Sequence, residues 1–269
     1  MTDPLQPQPI LQATLRDPPW ASRATSRLPG TGPVAPGDWL RVDDAYAGQM
    51  ALRQRLMTSH CDLVHALRPQ AMAPARELLD IVLDELDARS DFTVEYNAVT
   101  RPDGKIVSVN HDTPLLTLGH LVQQDFCILQ RIEGEHVLTG AILCFPASWT
   151  LDEKIDRPMT AIHDPVAPYT ADIAARVQRL FDMIRPDCPL WRVNLLLYHD
   201  AALFQPRRMA DRRVKPKASA EFVRSERQCI SRLPKTGAIV FAIHTTVTRL
   251  SHLSNEMQND LTRYLAGHT

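Results

Sequence analysis

Glycine is scarce in this 269-residue chain: ten residues, about half the usual share of about 7%. Loops that bring a backbone against a phosphate need glycine, and neither G-x-x-x-x-G-K-[ST] nor G-x-G-x-x-G occurs, so both standard nucleotide loops are excluded. H-E-x-x-H and G-x-S-x-G are also missing, which removes the common zinc-peptidase and serine-hydrolase sites. The five cysteines are odd in number, and no two are spaced C-x-x-C. A zinc ribbon, a thioredoxin-type pair and covalent c-type haem attachment are therefore out, and reduced thiols in a cytoplasm are expected. Excess charge is lacking too: 30 basic against 31 acidic residues leave a net charge of −1, so no global field draws the chain to nucleic acid. No apolar run approaches the ~20 residues that span a bilayer. The first residues lack the basic start and apolar segment of a secretory signal. With 44% apolar and 23% charged residues, the chain has the composition of a folded soluble protein rather than a disordered one.

Proline is unevenly placed. Eight of the 21 prolines fall within the first 36 residues, so residues 1–37 read as an extended arm that wraps a surface or stays mobile. From Tyr46 to Leu67 the apolar spacing predicts one helix, ended by Pro69. Arg76 to Ala88 repeats the pattern, with an acidic face of Asp80, Asp84 and Asp87. Phe92 to Tyr96 alternates as a strand does, and Pro102-Asp-Gly104 supplies a turn. Gln124–Ile132 and Val137–Phe145 form a hairpin candidate around Glu133-Gly134-Glu135. Pro168–Arg185 is the cleanest amphipathic helix. Trp191–Tyr198 predicts a strand with Trp191, Val193, Leu195 and Leu197 on one side. Two last strands flank Leu233–Gly237, and a helix from about His252 to Leu265 closes the chain. Helices, strands, helix, strands, helix is the order of an α+β domain built on an antiparallel sheet.

Four places hold chemistry-bearing residues. Cys61 and His65 stand four apart on the first predicted helix; with no second ligand pair at a familiar spacing, a core cysteine beside a surface histidine is the plain reading. Residues 205–235 hold ten Lys and Arg against three acidic residues, which is a solvated loop, a docking patch for an acidic redox partner, or a set of counter-charges for an anionic cofactor. In Glu221–Ile230, read as a strand, Phe222, Arg224, Glu226 and Gln228 face one way and Val223, Ser225, Arg227 and Cys229 the other. Neither side is continuously apolar, although Ala238–Ile243 next door reads as buried. Such a strand sits at a sheet edge or lines a polar pocket, and its charges form a structural Arg–Glu network or a site. His163, in Ile162-His-Asp-Pro-Val166, sits in a proline-braced segment before a helix, where it either holds a metal or caps a turn.

Taken in order, Val122-Gln-Gln-Asp-Phe-Cys-Ile-Leu129, Leu143-Cys-Phe-Pro-Ala-Ser-Trp149, Lys154-Ile-Asp-Arg-Pro-Met-Thr-Ala-Ile-His-Asp-Pro-Val166 and Arg224–Ile243 resemble the haem-dependent oxidative N-demethylase α-subunit-like family. The resemblance runs from about Gly37 to Leu253. It implies a PAS-like antiparallel sheet whose flanking helices enclose a haem pocket, in one domain over residues 38–269. It also implies haem b as cofactor and an enzyme that removes a methyl group from a small, dimethylamine-like amine. That reaction consumes O2 and NADPH-derived electrons delivered by flavin and iron–sulfur reductase components, and it releases formaldehyde. On the same basis His163 becomes the metal ligand and Glu226 the catalytic acidic group. Arg224, Arg227 and Gln228 become candidates to bind the cofactor or shape its pocket. A non-catalytic haem-PAS sensor or electron-transfer protein is the rival reading, and ligand binding without haem is a third.

Overall fold

The computed structural model describes residues 5–21, 30–163, 171–211 and 220–266, with residues 160, 163 and 171–176 described by their backbone alone. The chain enters through β1 (Gly32–Pro33), α1 (Tyr46–Ser59), α2 (Cys61–Val64), β2 (His65–Leu67) and α3 (Met72–Asp87). Three short strands follow, β3 (Thr93–Val94), β4 (Ala98–Thr100) and β5 (Ile106–Ser108), then α4 (Pro114–Leu121). Next come β6 (Asp125–Ile132) and β7 (Glu135–Ile142), with α5 (Met159–His163) and α6 (Ala171–Met183) behind them. The strands β8 (Leu190–Tyr198), β9 (Phe222–Arg232) and β10 (Ile239–Arg249) and the helix α7 (Asn255–Ala266) complete the described chain. Seven strands form one sheet in the order β1-β8-β9-β10-β6-β7-β2, and every pairing in it is antiparallel. The other three make a small separate sheet. The architecture is the α+β class that the element order predicts.

Local chemistry explains the two long hairpins. The β6–β7 turn places Glu133 and Gly134 at positive φ, the twist that a two-residue hairpin needs. In the β9–β10 turn Gly237 takes φ +71, and the buried Glu77 carboxylate of α3 accepts the Lys235 and Thr236 amides. A helix therefore pins the loop between the two central strands.

The sheet is covered on both faces. On one, Leu52 and Leu56 of α1, Leu78 and Val82 of α3 and Leu118 of α4 pack on Phe126, Ile128, Val240 and Ala242. On the other, Met159 and Ile162 of α5 and Phe181 of α6 pack on Leu129, Leu138, Ile230 and Ile239. Full burial of each such side chain contributes roughly 1.5–3 kcal/mol.

The first predicted helix is shorter than its apolar spacing suggests. It ends at Ser59, His60 leaves helical geometry at φ −139 and ψ 36, and His65–Leu67 become an edge strand in register with Gly140–Ile142 of β7. Tertiary pairing overrides the helical period here, because β7 would otherwise present unpaired backbone groups at the sheet edge. Leu143 N–H donating to the Val64 carbonyl extends the same pairing. Cys61 and His65 consequently do not share a helix face.

The described part of the arm wraps the sheet rather than standing off it. The Gln6 amide donates to Ala201 O and accepts from Leu203 N. Gln12 exchanges backbone and side-chain hydrogen bonds with Val247 and reaches Asp43. Among the described residues no helix is long and apolar enough to cross a membrane.

Two interactions tie these layers together. Arg53 of α1, fully buried, meets Asp125 at 2.5 Å, and the same carboxylate accepts the Cys144 and Phe145 amides at 2.8 Å each. Asp43 accepts from His244, Gln123 and Gln12. Burial pushes the Asp43 carboxyl up, but these donors outweigh it and hold the group at about 2.

Breaking the Arg53–Asp125 pair from one side leaves a lone buried guanidinium, which costs about 3–5 kcal/mol. Asp125→Asn is expected to lower stability by that amount in urea unfolding; a loss under about 1 kcal/mol would contradict the role given to the pair. Asp43 titrates lower in the folded chain than in the unfolded one, so its stabilisation is complete above about pH 4 and is lost as pH falls towards 2. Melting temperatures measured from pH 5 to pH 2 are expected to fall more steeply for the wild type than for Asp43→Asn. Parallel curves would contradict the assignment.

Candidate functional site

Strand β9 lies between β8 and β10, so the sheet-edge alternative for Glu221–Ile230 does not hold: this is a central strand. Alternation then divides the polar residues of β9 between two covered faces, and in its middle Arg224, Ser225, Glu226 and Arg227 are all buried.

Glu226 occupies the face that carries α5 and α6. Its Oε1 accepts from Arg224 Nε at 3.3 Å, and its Oε2 accepts from Asn194 Nδ2 of β8 at 3.3 Å and from Gln228 Nε2 at 3.4 Å. Arg224 is itself fixed. Its Nη1 donates to Leu203 O and its Nη2 to Phe145 O, while the guanidinium stands over the Tyr198 ring. Across the hairpin Thr245 is the register partner of Glu226; its Oγ1 is buried and has no hydrogen-bond partner among the described residues. The carboxylate is thus held by three donors, beside a hydroxyl left over for something else.

Other groups surround this face. The Cys127 thiol, which sits on β6, is pushed up to about 12 by burial. Lys154 lies in the segment that leads to α5, its Nζ 4.5 Å from the centroid of the Trp149 ring. Burial pushes the Lys154 ammonium down to about 8, while Cys127, Glu153 and Glu226 pull the other way. Arg192, in register with Gln228, is lowered by burial, with Tyr264 and Glu226 opposing.

His163 is the last residue of α5. The Met159 and Ile162 side chains of that helix pack in the same apolar cluster as Ile230 and Cys127, so the backbone of His163 arrives on the Glu226 side of the sheet. Its side chain, and residues 164–170 with Asp164, lie outside the described residues.

Arg227 goes to the opposite face. Its Nη2 donates to Asp38 Oδ2 at 2.9 Å, its Nη1 contacts Cys229 Sγ, and its guanidinium stands 5.1 Å from the Trp191 ring centroid. Under the N-terminal arm it borders a cleft of about 60 Å³ together with Arg41, Asp43 and His244, a space on the scale of several waters. There His244 donates through Nε2 to Asp43 at 2.9 Å and faces Gln124 Nε2 through Nδ1 at 3.3 Å. The Gln124 amide is oriented by its own donation to Arg41 O, which makes Nδ1 the acceptor.

Part of the basic stretch 205–235 is absorbed by the fold. Arg224 and Arg227 are buried, Arg232 donates to the Phe181, Ile184 and Gly237 carbonyls, and Arg208 pairs with Asp152. Arg212, Arg213, Lys215 and Lys217 lie outside the described residues.

The structure therefore brings Glu226, Arg224, Gln228 and the α5 backbone to one face and puts Arg227 on the other. Sequence reasoning missed Arg192, Asn194 and Thr245 on the same face. A signal for the first two was present: the side of β8 opposite Trp191, Val193, Leu195 and Leu197 carries two polar residues between leucines. Lys154 lay inside a conspicuous motif, but nothing in its spacing marks it as half-buried.

No curated protein matches the chain. A family model described as haem-dependent oxidative N-demethylase, alpha subunit-like, matches residues 30–268, a span that includes both faces of β9, α5 and every residue of the Glu226 cluster. By that match, over nearly its whole length, the chain belongs to the haem-dependent oxidative N-demethylase alpha subunit-like family.

Proposed function

We propose that this chain is the haem-carrying subunit of an oxidative N-demethylase, acting on a small amine at the Glu226 face of the sheet. The observation that carries the reading is a buried carboxylate fixed by Arg224, Asn194 and Gln228 on the face to which α5 delivers His163. The residues fit a haem. Thr245 Oγ1 is a buried polar atom with no partner among the described residues, the face holds cations suited to carboxylate side groups, and Phe241 and Ile243 offer apolar surface beside them. The PAS-like reading of the fold is supported by the strand order. Numbered among themselves in chain order, the five long strands β6 to β10 stand 2-1-5-4-3 across the sheet, with α5 and α6 in the connection between the second and third.

His163 is the residue that would hold the iron, through one ring nitrogen, with the other donating to a neighbouring acceptor that fixes the tautomer. Bound haem would supply the iron at which O2 is reduced with electrons from NADPH by way of flavin and iron–sulfur partner subunits. Glu226 pairs with the ammonium form of the amine and can take its N–H proton, because the three donors keep the carboxylate in one position as that proton moves. Arg224 and Gln228 act through Glu226 by orienting it. Loss of a methyl group as formaldehyde follows once the methyl carbon is hydroxylated: the C–N bond breaks, the nitrogen regains a proton and the aldehyde leaves. Dimethylamine is the size of substrate we assign, and the cytoplasm the compartment, in keeping with five free cysteines. Arg227 stays outside this reading, because Asp38 and the arm occupy it.

Purified protein reconstituted with haem is expected to show the visible spectrum of a histidine-ligated b-type haem. His163→Ala is expected to lose that spectrum while keeping the far-ultraviolet circular dichroism of the wild type; an unchanged spectrum in the variant would overturn the ligand. With reductase supplied, Glu226→Gln is expected to lower formaldehyde production per haem by about 10²- to 10⁴-fold at unchanged haem content. Turnover per haem equal to wild type, accompanied by a lower melting temperature, would make Glu226 a structural partner of Arg224. Haem binding without formaldehyde from any small methylamine would favour the sensor or electron-transfer reading.

A further inference from the structure

Two half-buried cations near the Glu226 face, Lys154 and Arg192, form no ion pair among the described residues. Glu226 is the acceptor for Arg224, and that pair closes on itself. Glu153 acts on Lys154 through space, and its own contacts go to Thr150 Oγ1, the Met209 amide and Arg208. Lys154 and Arg192 stand apart from these pairs. Lys154 is half-buried above Trp149, and Arg192 is half-buried on β8, one register step from the Asn194–Glu226 pair. Among the described residues neither has a carboxylate partner. Both feel Glu226 through space, and the desolvation of both is visible in their depressed basicity. Buried cations without counter-charge are unfavourable, so they occur where a ligand brings the missing charge.

We propose that Lys154 and Arg192 form a clamp for the two carboxylates of a dianionic ligand, and that this ligand is the haem, held by its two propionates. The assignment rests on the haem reading above and goes beyond it by naming the anchors. Two cations without an ion pair among the described residues match two propionates in number. One anchor comes from the segment leading into α5 and the other from β8, so the clamp spans the face from the β6 side to the far side of β9. Arg227 is excluded from the role because its partners are Asp38 and Asp17 on the other face. Lys154 and Arg192 are cofactor-positioning residues; neither moves a proton in the reaction.

The test compares haem with haem dimethyl ester, which keeps the ring and iron but carries no propionate charge. The full-length protein without haem is titrated with each and followed by visible absorption. The wild type is expected to bind haem at least about tenfold tighter than the ester, the scale of one charged hydrogen bond. Lys154→Gln together with Arg192→Gln is expected to bind haem no better than the wild type binds the ester. In the haem-free state the same substitutions are expected to leave the melting temperature unchanged or raised, because each removes an uncompensated charge. A structural role would lower it. A wild type that binds both forms equally overturns the clamp while leaving the haem reading intact, and this arm needs no variant to fold. A double variant that keeps the wild-type preference overturns it as well. Stabilisation of the wild type by succinate without any preference for haem over its ester would reassign the two cations to a free dicarboxylate. A wild type that binds neither form fails the haem reading itself.

Discussion

Asp125 holds the two halves of this molecule together. Its carboxylate accepts Arg53 from α1 and the backbone amides of Cys144 and Phe145. The Phe145 carbonyl in turn accepts Arg224, and Arg224 donates to Glu226. Charge alternates along this chain, from arginine to aspartate to arginine to glutamate, and every side chain in it is almost fully buried. In a low-dielectric interior such a series is favourable only when each member keeps its neighbours, since a broken link strands a charge. The orientation of Glu226 therefore depends on residues on α1 and at the start of β6, far from it in sequence.

The second constraint is the period of a strand. Because β9 is covered on both faces, adjacent residues enter different compartments. Arg224 and Glu226 meet Asn194, Gln228 and Thr245, whereas Arg227 meets Asp38, Trp191 and the arm. Four consecutive buried polar residues thus serve two purposes. One compartment is closed by the arm through Gln12, Asp43 and His244, and its arginines pair with Asp17 and Asp38. The other holds Lys154 and Arg192, which form no ion pair among the described residues, and the unpartnered Thr245 hydroxyl.

Much of the fold was legible in the sequence. The β6–β7 hairpin, α3, β8, the β9–β10 pair and the α+β class follow from period and turn chemistry, because those segments obey one period each and both hairpins turn at a glycine. The break at His60 was not legible, because Leu63 to Leu67 satisfy a helical stripe as well as an edge strand, and the decision is made by the unpaired edge of β7. For the same reason Cys61 and His65 looked like neighbours on a helix. Of the candidate site, Glu226, Arg224, Gln228 and Arg227 were visible as polar residues in a strand beside a buried one. Which of them share a face with α5 required knowing that β9 is central and which helices lie on each side. Arg192 and Lys154 were hidden more deeply, since burial of a lone cation is a tertiary property with no local signature.

The account places the cofactor on the Glu226 face of the central strand and nothing but the arm and its counter-charges on the Arg227 face. Anomalous scattering at the iron edge from crystals of the haem-reconstituted protein measures that directly. The predicted result is an iron peak on the side of the sheet carrying Glu226, α5 and α6, within bonding distance of the His163 ring. An iron peak on the side of Arg227 and His244, or one bound to a different residue, would contradict the account.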